Sequence, residues 1–465
     1  MVRVTKAALA PCCGRRWGSH GILCLSGIVC MQIYPELKVW PVFESRLRVL
    51  FYWVTIAAMG SYFVFYVLTP WAYDTGPAIL LLMALVVAVF GWSNLRESVD
   101  GESRLMIFTL LGYFLLQASV LMMHGEGLSD FDLSTRYLGA SIVLVFLLMV
   151  RPVGAKPFFF SVGVGGALTG SLALYWWGLE GSGRLQSFDN PIHYGNGALA
   201  LSCLSLAGLS WASRQRYRVL WSALFLCGLT GGLVASFLSG TRSGWVAIPL
   251  LVPVIVFAYR DRILDKKWLI PVILAAVGLL VIAMVTVDVV RERSIIAAQQ
   301  VEQYFEDGAN YTSVGLRLDM YKAGLAAFSE NPLVGIGPSG MEGKVEAMAR
   351  AGEIHQNVVH FRHLHNQYID NMARYGLVGL LSYLALLLVP FFLFLRKARH
   401  GLSSVRAIGL AGALFVVLHG VVNLTQSMLE RNIGVMMYLF VLVFVWAVLK
   451  AEEREDQAAS DAPGV

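Results

Sequence analysis

The sequence predicts an all-α integral membrane protein, with about twelve transmembrane helices and one large helical loop between spans nine and ten. Hydrophobic residues make up 57% of the chain and charged residues only 14%. The apolar runs are repeatedly long enough to cross about 30 Å of hydrocarbon as helices. They are also continuous rather than alternating, which excludes a spanning β-barrel, where lipid-facing and inward-facing residues alternate along each strand.

Taken in order, the spans fall near 47–69, 76–92, 104–123, 137–150, 156–178, 190–212, 218–239, 243–259, 268–287, 372–395, 405–423 and 433–449. Lys and Arg concentrate in the alternate short loops at 93–104, 151–156, 213–218, 260–267 and 396–406. The charge bias of membrane insertion puts those loops inside. Both termini then lie inside, and the polar stretch 288–370 lies outside. The chain divides into a cytoplasmic or interfacial segment 1–46, spans one to nine over 47–287, the external loop 288–370, spans ten to twelve over 371–450, and a tail 451–465.

Within the first segment, Gly21–Tyr34 is apolar but short for a span, and as a span it would turn every basic loop outward. It reads as an interfacial or buried piece, or as a translated extension ahead of a start at Met31. No small-residue cleavage site follows it, so it does not read as a cleavable signal. Cys12, Cys13, Cys24, Cys30, Cys203 and Cys227 avoid the external loops, and no disulfide framework is implied. The net charge of +6 comes mostly from inside loops, which points to anionic lipid headgroups and away from nucleic acid. The acidic, small-residue tail 451–465 reads as a solvated, disordered end.

The external loop reads as three helical pieces, 291–306, 314–329 and 341–361, separated by Asn331-Pro332 and the glycine-rich turn Gly335–Gly340. It holds the one dense histidine cluster: His355, His360, His363 and His365. The spacing does not match a two-histidine zinc motif and no cysteine completes a site, so no metal is assigned. A histidine base is the other chemical reading, since its ordinary pKa lies close to working pH. For His355, His360 and His363 a solvated loop residue remains an equal account. His365 and Asn366 stand just before span ten, where a helix N-terminus offers N–H groups and a positive dipole end to an anion.

Four arginines, Arg136, Arg184, Arg242 and Arg431, are the lone Lys or Arg residues of their external loops. A guanidinium fork suits phosphate oxygens. It also suits an interfacial position reaching to lipid headgroups. Arg242 is the best candidate for phosphate, because Ser239-Gly240-Thr241-Arg242-Ser243-Gly244 forms a tight turn that a phosphate can approach. Asp130-Phe131-Asp132 has the form of a metal-binding carboxylate pair, but such triplets are common in solvated loops. Asp189–Gly195 opens span six and could line a cavity, His193 being either part of it or a structural histidine.

In order and spacing, Ser239–Trp245, then Ser313–Asp319 leading to Asn331–Gly337, then His365-Asn366-Gln367-Tyr368 with Gly376 and Gly379, resemble the O-antigen ligase and polymerase superfamily over roughly 235–385. The resemblance implies periplasmic transfer of O-antigen from undecaprenyl diphosphate to a hydroxyl of lipid A-core, in lipopolysaccharide biosynthesis. The setting it implies is a Gram-negative inner membrane, with inverting, metal-independent chemistry and no cofactor. The family's essential histidine falls on His365, as the base that activates the acceptor. Its two essential arginines fall on Arg242 and Arg317, which bind the diphosphate leaving group. Further candidate substrate contacts are Arg136, Arg184, Asn366 and His363. A ligase ranks ahead of a polymerase on architecture and chain length. The short stretch after the last span argues against protein acceptors. From another class, a transporter of lipid-linked glycan would grip the same diphosphate, but paired broken helices and repeat symmetry are little visible.

Overall fold

The computed structural model describes residues 45–90, 98–150, 154–181, 185–263, 288–306 and 311–461. Among them there are helices and no strand. In chain order these are α1 Ser45–Phe65, α2 Ala72–Phe90, α3 Gly101–Met123, α4 Asp132–Val150, α5 Ala155–Glu180, α6 Pro191–Ala212, α7 Arg218–Leu238 and α8 Arg242–Ile263. Then follow α9 Asp288–Glu306, α10 Ser313–Glu330, α11 Gly337–Arg350, α12 Gln367–Lys397, α13 Ser403–Val422 and α14 Asn432–Asp461.

Eight helices among the described residues are long and apolar enough to cross a membrane: α3, α4 with the turn before it, α5, α7, α8, α12, α13 and α14. The expected spans one and two form shorter apolar helices within α1 and α2. Span six forms α6, which falls short in apolarity for a physical reason. It is buried along nearly its whole length, with His193, Asn196, Ser202 and Ser205 inside the bundle, and it packs on α7 and α13. A helix that does not face lipid can carry small and polar residues. The expected ninth span 268–287, Arg184 and the segment 1–44 lie outside the described residues.

Small residues also let α5 and α7 approach backbone to backbone: a Cβ on Gly170 would stand 2.1 Å from the Gly231 Cα. Residues 451–461 are a correction to the expected disordered tail, since α14 runs to Asp461. Ion pairs hold its end down: Lys450, 2% exposed, meets Asp100 at 2.7 Å and Glu102 at 2.5 Å, and Glu452 accepts from the Ala155 N–H at 2.7 Å. Lys397, at the end of α12, joins the same cluster through Glu102 and Glu453.

The stretch 288–370 folds as α9, α10 and α11, followed by a 3-10 turn at Gln356–His360. The third helix ends at Arg350, short of the expected 361. Gly352 takes φ +74°, and its neighbour Glu353 returns its N–H to the Met348 carbonyl, closing a glycine-dependent helix end. Buried Asp319 ties these pieces together, accepting from the Tyr304 hydroxyl at 2.8 Å and the His355 N–H at 2.7 Å.

A break in α12 joins this segment to the bundle. Gly376 adopts φ 64° and ψ −157°, interrupting the helix. The N–H groups of Leu377 and Val378 bond instead to the carbonyls of Pro332 (2.7 Å) and Leu333 (3.2 Å), and Ile336 donates to the Ala373 carbonyl (3.0 Å). The Asn331–Gly337 loop therefore completes the hydrogen bonding of an interrupted helix, which buried backbone requires. Gly335, at φ +68°, has no room for a Cβ, which would stand 2.4 Å from the Arg374 carbonyl carbon.

Gly376→Ala should lower stability by on the order of 3 kcal/mol, since alanine meets both a left-handed backbone and the Leu333 carbonyl. Exposed Gly343, with open space around it inside α11, should gain up to about 1 kcal/mol on changing to Ala. Thermal denaturation of the two variants in detergent tests the pair. Equal midpoints would mean that the break is not a structural joint.

Candidate active site

His365 is the one described non-glycine residue with positive φ, at 55°. Such a backbone costs about 1–3 kcal/mol and persists only when its surroundings impose it. Here they do. On one side, the Leu364 N–H donates to Asp370 Oδ2 at 2.9 Å, and Leu364 itself is buried. On the other, the Asn366 side chain caps α12, accepting from the N–H groups of Tyr368 (3.0 Å) and Ile369 (3.1 Å) while donating to the Leu424 carbonyl (3.0 Å). The imidazole Nδ1 lies 2.6 Å from Gln426 Oε1. An amide oxygen only accepts, so the proton belongs on Nδ1 and Nε2 presents a lone pair. This is the tautomer and orientation that a base needs.

Asp370 is itself held by a buried charged network, which Ser427, next to Gln426, also joins. Arg374 Nε donates to Asp370 Oδ1 at 3.0 Å, its Nη1 lies 3.4 Å from Glu430 Oε2, and its Nη2 donates to the Arg362 carbonyl. Asp370 also accepts from the Ser427 hydroxyl, and Gln367 bridges Glu430 at 3.3 Å and the Leu429 N–H at 2.8 Å. Asp370, Arg374, Gln426 and Ser427 are nearly inaccessible to solvent. The chain 360–366 and the chain 423–430 are thus locked to each other through the first turns of α12.

Around His365 the charges are mixed. Burial pushes its imidazole below the usual histidine range; Arg317 and Arg431 add to this, and the Gln426 hydrogen bond and the Asp370 carboxylate oppose it. Arg317 is half-buried on α10, one turn before Tyr321, whose hydroxyl donates to the His365 carbonyl at 3.4 Å. Among the described residues no carboxylate lies within ion-pair distance of Arg317. The His363 ring stands edge-on to His365 at 4.4 Å, and burial, with His365, Arg431 and Arg374 beside it, takes its pKa down to about 3. Phe361 touches His365 from another side at 5.5 Å. Beyond Phe361 and His363 opens a cleft of about 610 Å³, reaching Tyr73, Phe188, Asp189 and Arg431. Asp189 Oδ2 is 2.7 Å from Nδ1 of fully buried His193.

The other sequence candidates take varied places. Arg242 is exposed at the start of α8, on a turn anchored where Thr241 donates its hydroxyl to the Pro191 carbonyl at 2.8 Å, two residues before His193. Arg136 is engaged by Asp132 at 3.0 Å and Asp74 at 3.5 Å, which leaves Asp132 serving an arginine. Asn366 is spent on capping. The N–H groups of the first turn of α12 are all bonded, Gln367 to the Asn423 carbonyl and Asp370 to the Asn366 carbonyl, so the free helix end expected there for an anion is not available. His355 caps the 3-10 turn through Nδ1, and His360 lines the cleft. Sequence reasoning passed over Gln426, Arg374, Asp370 and Glu430, and set Arg431 aside as interfacial.

Residues 229–384 match the family model described as O-antigen ligase. The matched stretch contains Arg242, Arg317, His365 and the α12 break. The chain is also similar to an uncharacterized protein of Haemophilus influenzae, 26% identical over 385 residues, covering 82% of this chain and 94% of that relative.

Because the histidine must be neutral to act as a base and its ordinary value of 6.5 is lowered, activity should hold at neutral pH and fall only as pH drops below 6.5. Gln426→Glu would set a carboxylate against Nδ1, favour the charged ring and move that acid limb up by about one to two pH units. A pH–rate profile of the two proteins decides it; an unmoved limb would detach Gln426 from the base.

Proposed function

We propose that this chain is an O-antigen ligase, a metal-independent inverting glycosyltransferase that moves O-antigen from undecaprenyl diphosphate to a hydroxyl of lipid A-core. The observation that carries the reading is the pairing of a lone-pair-bearing His365 Nε2 with Arg317, a guanidinium without a carboxylate partner among the described residues, inside the stretch that matches the family. The reaction needs these two functions. Nε2 takes the acceptor hydroxyl proton as that oxygen attacks the anomeric carbon from the face opposite the diphosphate. The anomeric C–O bond breaks, and undecaprenyl diphosphate departs with the electron pair. Arg317, with Arg242 as the second arginine, receives the charge that develops on the leaving group.

The placement of charge along the bundle fits a periplasmic site. α12 begins beside His365 and ends at Arg396 and Lys397, and α14 begins at the cleft and carries Lys450 far along its length, in the same cluster as Lys397. The basic end is therefore opposite the proposed site, and the charge bias assigns that end to the cytoplasm of the inner membrane. Arg136, held by two carboxylates, serves the donor less directly than Arg317. His363, neutral and against His365, serves in placing the acceptor.

His365→Ala should abolish transfer from undecaprenyl-diphosphate-linked O-antigen to lipid A-core by the purified protein, with chelator present in all samples. Arg317→Lys, which keeps a charge but loses the fork, should cost about 3 kcal/mol, on the order of a hundredfold in rate. Elongation of the lipid-linked glycan without transfer to core would reassign the chain to the polymerases. Undiminished product from His365→Ala would sink the base assignment, and neither product from the native protein would favour a carrier.

A further inference from the structure

The geometry points to the cleft beyond His363 as the subsite for the acceptor, taking an uncharged sugar ring of the core oligosaccharide; this rests on the ligase reading and names the substrate side of the same site. The cleft's volume of about 610 Å³ falls in the range of small-ligand sites, about 300–1,000 Å³. Its lining has the two kinds of surface that a sugar ring requires. Tyr73 and Phe188 lie stacked, 6.0 Å apart and 14° from parallel, and Phe188 stays 37% exposed, so an aromatic face is open to the C–H face of a pyranose. Around it stand Arg431 and Arg362 against Asp189 and Glu430, donors and acceptors together. A hydroxyl both donates and accepts, so it is served by such a mixture. A diphosphate is not, because the carboxylates repel it.

Two further observations orient the ligand. His363 is 7% exposed, lines the cleft, and its Nδ1 has no hydrogen-bond partner among the described residues. A buried polar atom left in that condition gains from a ligand hydroxyl that reaches it. Moreover, Phe361 and His363 line the cleft and also touch the His365 ring, at 5.5 Å and 4.4 Å. A sugar seated there is separated from the base by a single ring, His363 or Phe361. Arg317 acts on His365 from α10, which contributes nothing to the cleft lining. Arg317 and the cleft thus belong to different elements beside the histidine, which suits attack and departure on opposite faces of the anomeric carbon.

Two measurements on the full-length protein in detergent test this. In the transfer assay, Phe188→Ala should raise the KM for lipid A-core at least tenfold and leave the KM for the lipid-linked donor within about twofold, and Phe188→Trp should restore the native value. A rise in donor KM with an unchanged acceptor KM would overturn the proposal. In saturation-transfer NMR with delipidated core oligosaccharide as the probe, the native protein should saturate sugar C–H protons, and Phe188→Ala and Tyr73→Ala should lose the effect while keeping the native melting temperature. Equal saturation in native and variant proteins, or none in the native one, would also overturn it. Binding that depends on Phe188 without any transfer by the native protein would sustain the cleft and refute the ligase reading, so the two failures are told apart.

Discussion

A guanidinium shared between buried Asp370 and half-buried Glu430 holds the site together. Arg374 cannot be left without its acids, nor they without it: an unpaired charge at that depth costs about 3–5 kcal/mol. Meeting this requirement brings three separate stretches of chain to fixed positions. Asp370 holds the Leu364 N–H and the Ser427 hydroxyl, and Arg374 takes the Arg362 carbonyl. Glu430, through Gln367, reaches the Leu429 N–H. His365 and Gln426 lie between these fixed points. Their 2.6 Å contact and the left-handed backbone of His365 follow from restraints on either side rather than from any preference of their own.

The same helix carries the second restraint. Where α12 breaks at Gly376, the Asn331–Gly337 loop supplies the missing carbonyls, and this loop follows directly from α10, which bears Arg317. From the other side of the loop, α11 is fastened to the α3–α4 connection by Glu126, which accepts from the Ser339 N–H at 3.0 Å. Arg317 is thus positioned through backbone hydrogen bonds to the helix whose first turn orients His365. A site that must present a base and a cation to one substrate gains from such rigidity, since a misplacement of about 1 Å costs heavily in rate.

Local patterns in the sequence carried much of this. The apolar runs located eight of the spans, polarity set off 288–370, and the resemblance singled out His365, Arg317 and the Asn331–Gly337 loop with Gly376. Some missed features were written locally. Asn366 precedes α12 as an N-cap residue does, and Asp132 stands four residues before Arg136 on a helix. Gly352 marks the end of α11 in the same way. Gln426 and Glu430 were not legible, because they lie some sixty residues from the groups they serve and each, taken alone, is an ordinary loop residue. The polar α6 is similar: its place inside the bundle is a property of its neighbours.

The two arginines that act on His365, Arg317 and Arg431, have opposite effects on the two halves of the proposed reaction. They weaken the imidazole as a base, yet keep it unprotonated at neutral pH and ready to accept. In that proposed reaction a diphosphate settled against Arg317 would offset the guanidinium and relieve part of the pressure on the imidazole. Donor binding therefore strengthens the base just when a proton has to be taken. Gln426 makes the relief useful, since Nδ1 already carries its proton and its acceptor, and all of the gain appears at Nε2. A base surrounded by carboxylates would have the opposite property: it would be charged before the donor arrived and repel the acceptor's proton. The arginine-rich neighbourhood thus suits a reaction in which deprotonation has to wait for the leaving group.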